Sequence, residues 1–199
     1  MIFPSTILSS TILPTGVRRW ACVGLLLLSA SVAIAQRRRD PLTQAEIDQV
    51  RDASWEPQKR LALYVSFARD RLTKLETMRR DPKTKDRSQQ THDFLDSFLR
   101  IYDELNDNID TYMGRRDDIR KPLKAIIEAD TEFQAKLRAL KDSADVPAEE
   151  AKQYEFVLTN ALDTVDTSAD DHRKLQIDLE DAAKHKKLNA AAKNSGKPE

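Results

Sequence analysis

The sequence predicts an all-α fold, an antiparallel up-down helical bundle of four long helices with a short N-terminal helix. The chain has only four glycines and is rich in residues that favour helices. Apolar residues recur every three or four positions along four long stretches, the period of a helix buried on one face. Short polar segments separate these stretches, and short connections favour antiparallel packing of consecutive helices.

Residues 1–35 are predicted to be a signal peptide and not part of the fold. Arg18 and Arg19 precede a short apolar run over residues 20–34, and small residues end that run at Ala35. This order of positive, apolar and small residues is typical of a cleaved export signal. We therefore expect cleavage after Ala35 and an exported protein, periplasmic or extracellular.

An uncleaved anchor is the alternative interpretation of the N-terminal segment. The apolar run is shorter than the roughly 20 residues that a membrane-spanning helix needs, but three arginines follow it at 37–39 and resist translocation. In that alternative the protein is membrane-anchored through residues 20–35. The predicted organisation after the signal is a disordered segment at 36–42, the bundle domain at 43–186 and a disordered tail at 187–199.

Composition limits the classes of partner. Cys22 is the single cysteine, so the chain after the signal contains no thiol and no disulfide. Residues 1–35 contain two of the 33 Lys and Arg residues and none of the 33 Asp and Glu residues, so the formal charge after signal cleavage is near −2. This balance gives no electrostatic reason to expect binding to nucleic acid or to a membrane surface. Protein partners or self-association remain the expected interactions.

The short N-terminal helix is predicted from a capping box. Thr43 can cap the helix, and Glu46, three residues later, can bond back to the cap. Leu42 before the cap and Ile47 in the first turns are spaced as a hydrophobic staple. This helix is expected to run to about Ala53.

The second helix is predicted at about 56 to 80 and the third at about 89 to 113, with Gly114 as the left-handed residue that ends the third. The predicted buried face of the second helix comprises Leu61, Tyr64, Val65, Phe67, Ala68, Leu72 and Leu75. That of the third helix comprises Leu95, Phe98, Tyr102, Leu105, Ile109 and Tyr112.

The fourth helix is predicted at about 118 to 142 and the fifth at about 148 to 186. Pro122 either begins the fourth helix or kinks its first turn. The predicted buried face of the fourth helix comprises Ile119, Leu123, Ile126, Phe133, Leu137 and Leu140. That of the fifth comprises Ala151, Tyr154, Leu158, Ala161, Val165, Ser168, His172, Leu175 and Leu179. An extended coiled-coil hairpin that dimerises is the alternative architecture, but the aromatic residues on these faces favour a thicker bundle.

Two polar residues interrupt the apolar faces, Asp130 in the fourth helix and His172 in the fifth. A buried, unpaired charge costs several kcal/mol. We therefore expect both side chains at the edge of the bundle, with Ile127 and Ala169 in the core positions. A polar layer that fixes helix register and a ligand or metal role are the two alternatives.

Motifs of catalysis are missing from the sequence. The sequence contains no Glu-x-x-His pair of a di-iron bundle and no glycine-rich phosphate loop. A haem-attachment motif, Cys-x-x-Cys-His, would need two cysteines, and the chain has one. We expect no enzyme activity, no cofactor, no metal site and no catalytic residue. Two rows of acidic residues are expected to be solvated helix faces. One row is Asp103, Asp107 and Asp110 on the third helix, and the other is Asp163, Asp166 and Asp170 on the fifth. A basic group is expected to form a mobile loop, namely Arg79, Arg80, Lys83, Lys85 and Arg87.

The segment Leu42-Thr43-Gln44-Ala45-Glu46 resembles the Leu-Thr-x-x-Gln motif of small periplasmic helical chaperones and metal-stress sensors, which bind unfolded proteins in a cradle. The segment occurs once here, whereas that family carries its motif twice, and Glu46 stands where the family has glutamine. No functional residue is transferred from this resemblance.

These observations lead to one expected function and two alternatives. The expected function is an exported helical-bundle protein that acts as an interaction or scaffold module in the periplasm or cell envelope. The first alternative is a chaperone-like or ligand-binding helical module of the periplasm. The second is a metal-binding or enzymatic bundle. An exposed apolar groove of more than a few hundred Å² would favour the first alternative over a scaffold.

Overall fold

The computed structural model describes residues 40–144 and 146–195, and all regular secondary structure within them is helical. The predicted signal peptide at 1–35 lies outside the described residues. In chain order the helices are α1 (Gln44–Asp52), α2 (Pro57–Arg80), α3 (Arg87–Gly114), α4 (Arg120–Lys141), α5 (Ala148–Lys152) and α6 (Glu155–Ser195). None of the helices in the described part of the chain is both long and apolar enough to cross a membrane.

The predicted start of α1 is confirmed. The backbone N–H of Glu46 donates to the hydroxyl of Thr43 over 3.3 Å, and the backbone N–H of Thr43 donates to the Glu46 carboxylate over 2.7 Å. These two bonds complete the capping box and satisfy two backbone donors that the first turn would otherwise leave unpaired. Leu42, directly before the cap, packs against the hydrophobic core.

The predicted buried faces of α2 and α3 are confirmed at every position, and α4 and α6 follow the same pattern with a few partly buried members. All but one of the largest fully buried side chains lie at predicted positions. They are Tyr102, Phe98, Phe133, Leu61, Leu72, Leu95, Leu105, Ile119, Leu123, Ile126 and Leu137. The exception is Ile101, which is fully buried but was not predicted. Helical periodicity therefore identified most of the core.

The four long helices contact one another in a closed ring. Helix α2 packs against α3 and α4, and α6 packs against the same two helices. Among the described residues, the backbones of α3 and α4 do not approach each other, although only a short segment joins these helices. Consecutive helices were expected to be direct neighbours, but α3 and α4 instead face each other across the core.

Aromatic side chains bridge the distance between α3 and α4. The ring of Phe133 on α4 meets Phe98 on α3 edge-on, with centroids 5.4 Å apart, and meets Tyr102 edge-on at 6.1 Å. Phe98 and Tyr102 stack on each other at 5.8 Å. Edge-to-face and stacked pairs are favourable beyond their buried area, so large rings fill the centre where the helix backbones stay apart.

The predicted end of α3 is wrong in its detail. Gly114 belongs to the helix, and the left-handed residue is Arg116, with φ at 62°. The N–H of Arg116 donates to the carbonyl of Met113, and the N–H of Asp117 donates to that of Tyr112. These two bonds form a Schellman motif, which requires one left-handed residue but does not require that it be glycine.

The last predicted helix differs from the structure at both ends. A turn at Gln153 and Tyr154 separates α5 from α6, where one continuous helix was expected. Tyr154 is buried at this break, and the guanidinium of Arg79 lies 5.6 Å from its ring centre. The helix then continues past Lys187 to Ser195. Many alanines and lysines in this stretch favour helix without any packing.

The first turn of α4 resolves the two interpretations of Pro122. The helix begins at Arg120, so Pro122 lies within the first turn. A backbone N–H at that position has no partner within the helix, and proline therefore breaks no hydrogen bond there. Pro122 neither begins the helix nor interrupts its hydrogen-bond ladder.

Leu105→Ala and Leu158→Ala are each expected to lower the free energy of unfolding by about 2–5 kcal/mol, through lost burial and a cavity. Leu105 is fully buried on α3, and Leu158 is 5% exposed on α6. Urea unfolding measures the change. The matched control is Leu188→Ala, because Leu188 lies on the same helix as Leu158 but is 65% exposed. An equal loss in the control would contradict the assigned core.

Candidate functional site

The most unusual feature of the core is a buried polar cluster, which we define as Tyr102, Asp130 and His172. Asp130 on α4 is fully buried, and its two carboxylate oxygens have different partners. The hydroxyl of Tyr102 on α3 donates to Oδ1 over 2.7 Å. Nδ1 of His172 on α6 lies 2.8 Å from Oδ2. The polar cluster therefore joins three helices through one carboxylate.

Ordinary helix periodicity brings these residues together. Asp130 lies four residues after Ile126 and three before Phe133, so it shares their buried face. His172 follows Val165 by two helical turns on α6. An apolar residue would be usual at each of these positions. The helix would form with either a polar or an apolar residue there.

The expectation that Asp130 and His172 lie at the edge of the bundle is wrong. Asp130 has no exposed surface and His172 is 5% exposed, while Ile127 is only partly buried. Ala169 does occupy a core position, as expected. The two polar side chains can be buried because each supplies the hydrogen bond that the other lacks, which removes most of the desolvation cost.

Burial determines how the polar cluster shares its protons. Burial and then the negative charge of Asp130 raise the pKa of the Tyr102 hydroxyl well above its usual value. Tyr102 therefore keeps its proton and acts as a donor. An ionised carboxylate can only accept, so in that state of Asp130 the contact with Oδ2 requires the proton on Nδ1 of His172. Asp130 is thus the shared acceptor.

A second pair of polar side chains lies one helical turn from the polar cluster. The side-chain amide of Asn106 on α3 donates to the hydroxyl of Ser168 on α6 over 2.9 Å. Asn106 follows Tyr102 by four residues, and Ser168 precedes His172 by four. This pair extends the polar contacts between α3 and α6 along the helix axes.

The polar cluster contains groups that can act as acids and bases, but all three side chains are buried and away from solvent. Tyr102, Asp130 and His172 are at most 5% exposed, and they do not line any of four prominent surface clefts on the described part of the chain. General acid-base chemistry requires a substrate within hydrogen-bond reach of the titrating group. The polar cluster links three helices through hydrogen bonds to one carboxylate, an arrangement similar to the polar layers that set register in coiled coils.

A second buried charge was missed by sequence reasoning. The guanidinium of Arg71 on α2 is 7% exposed and pairs with the Glu46 carboxylate of α1 over 2.6 Å. It also donates to Ser97 over 3.1 Å and to the carbonyl of Pro41 over 2.9 Å. The sequence signal was its position three residues after Ala68 on the buried face. We define the arginine clasp as Arg71 with its partners Glu46, Ser97 and Pro41. These contacts connect α1 and the segment before it to α2 and α3.

The arginine clasp changes the titration of Glu46. Burial alone would raise the pKa of Glu46, but hydrogen bonds from Arg71 and from Thr43 outweigh it and lower the pKa below its usual value. A carboxylate with a lowered folded pKa stabilises the fold above its unfolded pKa of about 4.3. That contribution is lost as the pH falls through the folded pKa.

We expect Glu46→Gln to lower the free energy of unfolding by about 1–3 kcal/mol at pH 7, because it weakens hydrogen bonds to a charged group. The difference from wild type should shrink between pH 5 and pH 2, where the wild-type carboxylate takes up its proton. Urea unfolding at pH 7, 4 and 2.5 measures it. Glu104→Gln is the control, since Glu104 is exposed on α3. A constant difference at all three pH values would contradict this assignment.

The acidic rows and the basic group have ordinary surface contacts. No three His, Cys, Asp or Glu side chains in residues 40–144 and 146–190 are placed to hold one metal ion. Asp166 pairs with Arg138 over 2.9 Å. In the basic group, Arg79 is partly buried and pairs with Glu150 over 3.1 Å, while Lys83 and Lys85 are exposed. The expected loop is thus anchored at its α2 end.

Comparison with known proteins adds no further assignment. No family model, no curated protein and no solved structure matches this chain. The short resemblance at residues 42–46 corresponds in the structure to the capping box of α1.

Proposed function

We propose that this chain is an exported helical-bundle protein that acts as an interaction or scaffold module in the periplasm or cell envelope. Two large apolar side chains carry the proposal. Trp55, between α1 and α2, is 88% exposed, and Phe156, in the first turn of α6, is 86% exposed. Tryptophan and phenylalanine are enriched in protein interfaces, and tryptophan is among the residues that most often dominate their binding energy.

The proposal includes an up-down order of the four long helices, in which the α3–α4 connection crosses the core. Contacts between α4 and α6 pair early with late positions, as in Lys124–Glu180, Asp130–His172 and Arg138–Asp166. Contacts between α2 and α4 pair positions in the same order, as in Arg69–Glu132 and Glu76–Lys136. These pairs support antiparallel α4 and α6 and parallel α2 and α4.

The internal charges favour a scaffold over an enzyme. The hydrogen bonds of the polar cluster and of the arginine clasp join helices, and the polar cluster is absent from the lining of the four clefts named above. A buried polar layer that lets helices meet in only one register gives a rigid body. Rigid presentation lowers the entropic cost of binding a partner through a few exposed side chains.

Site-specific photo-crosslinking tests the proposal. A photoreactive residue is placed at 55, at 156 or at the exposed position 66 of α2, and the chain is produced with its own N-terminal segment. We expect one protein to crosslink at 55 or 156 in the envelope fraction, no crosslink at 66, and an intact mass that begins at Gln36. Identical crosslinks at all three positions, or a full-length chain confined to the cytoplasm, would contradict the proposal.

A ligand-binding module is the second candidate, and the observation that favours it is a set of open clefts between helices. The four clefts have volumes of about 370 to 500 Å³. Small-molecule sites commonly have volumes of 300–1,000 Å³. One of these clefts combines an apolar floor with a basic rim, and it carries a more specific inference.

A further inference from the structure

The cleft in question lies between α2 and α4 beside the segment that follows α4, and we call it the basic cleft. Its volume is about 430 Å³. Its floor is apolar and comprises Leu72, Leu75, Leu137, Leu140 and Val146. The first three of these side chains belong to the buried core, so the floor is an extension of the core that reaches the surface.

The rim of the basic cleft is mainly cationic. Four basic side chains and one carboxylate line it, namely Arg79, Arg80, Arg87, Lys136 and Glu76. Glu76 pairs with Lys136 over 2.7 Å, and Arg79 pairs with Glu150 over 3.1 Å. Arg87 donates to the carbonyl of Asp81. Neither Arg80 nor Arg87 pairs with a carboxylate among residues 40–144 and 146–190, so the rim keeps two positive charges available.

A second cleft adjoins the first. Its volume is about 480 Å³, and it shares Leu140, Ser143 and Val146 with the basic cleft. Beyond these shared residues its lining is mixed: Ala148, Ala151, Tyr154 and Leu158 are accompanied by Lys141, Lys152, Glu155 and Thr159. The apolar lining of the basic cleft therefore continues through Leu140 and Val146 into a partly polar cleft.

We propose that the basic cleft binds a single-chain amphipathic carboxylate, with its head group between Arg80 and Arg87 and its alkyl chain on the apolar floor. Guanidinium groups form paired hydrogen bonds with carboxylates. The alkyl chain gains affinity by leaving water against the leucine side chains. Neither Trp55 nor Phe156 lines the basic cleft.

Methyl NMR of the mature chain tests the proposal with decanoate, octanoate, octanol and acetate, each below any micelle concentration. We expect saturable shifts of the Leu75, Leu137 and Val146 methyl signals with decanoate. Two extra methylene groups should make decanoate bind about tenfold tighter than octanoate. Octanol and acetate should each bind at least tenfold more weakly than octanoate. Octanol lacks the carboxylate, and acetate lacks the alkyl chain.

The charge contribution is tested with matched double variants. Arg80→Glu with Arg87→Glu should weaken decanoate binding at least tenfold. Lys121→Glu with Lys124→Glu makes the same charge change at a different cleft and should change affinity less than twofold. Three results would overturn the proposal: shifts of these methyl groups that do not saturate, equal affinities for octanol and octanoate, and equal losses in the two double variants.

Discussion

Replacing His172 with alanine is expected to lower the free energy of unfolding by about 3–5 kcal/mol, the usual cost of leaving a buried carboxylate without its partner. The substitution leaves Oδ2 of Asp130 without its 2.8 Å contact, at a site that water does not reach. It also opens a cavity between α4 and α6. Urea or thermal unfolding at pH 7 measures the loss.

Two further variants separate this effect from a general effect of losing a histidine. His185→Ala removes an exposed histidine of the same helix and should change stability by less than about 0.5 kcal/mol. His172→Asn retains a side-chain N–H donor and should recover part of the loss. A loss below about 1 kcal/mol for His172→Ala, the net value of an ordinary hydrogen bond, would show that His172 does not hold Asp130 in the core.

The second large effect is expected for Phe133→Ala, at about 3–5 kcal/mol. Phe133 is fully buried, and its ring contacts both Phe98 and Tyr102 across the space between α3 and α4. Since the backbones of these two helices do not approach each other, they cannot close the cavity without a large movement. Urea unfolding measures the loss.

Phe156→Ala is the matched control for Phe133, because it removes the same side chain from a position that is 86% exposed. A change within about 0.5 kcal/mol is expected there. The comparison also serves the functional proposal, since Phe156→Ala should lose partner binding without losing stability. Equal destabilisation by the two substitutions would contradict the described core.

Periodicity predicted most of the fold because each helix places its apolar residues on one side, and that pattern is local in sequence. Leu95, Phe98 and Leu105 could be assigned to the core from α3 alone. The order of the helices around the core could not be predicted from any one helix. It depends on how the apolar face of one helix packs against that of another, as in the contacts between α3 and α6. Arg116 was missed for a related reason, since a left-handed residue other than glycine has no clear sequence signal.

Two members of the candidate site could be identified in the sequence, but their contacts could not. Asp130 and His172 stood out as polar residues at apolar positions, but the sequence held no measure of whether they would meet. Tyr102 was assigned to the core for its ring, and nothing local showed that its hydroxyl would find a carboxylate on another helix. Arg71 resembled a surface residue because its partners lie 25 to 30 residues away.

A double-mutant cycle on Tyr102→Phe and His172→Ala tests most directly that Asp130 joins three helices. The two side chains lie on α3 and α6, and their hydrogen bonds go to the two oxygens of one carboxylate. Groups in one hydrogen-bond network show interaction energies of about 0.5–3 kcal/mol. We predict a value in that range from urea unfolding of the wild type, the two single variants and the double variant. Losses that add to within about 0.3 kcal/mol, as for independent sites, would contradict a carboxylate shared by Tyr102 and His172.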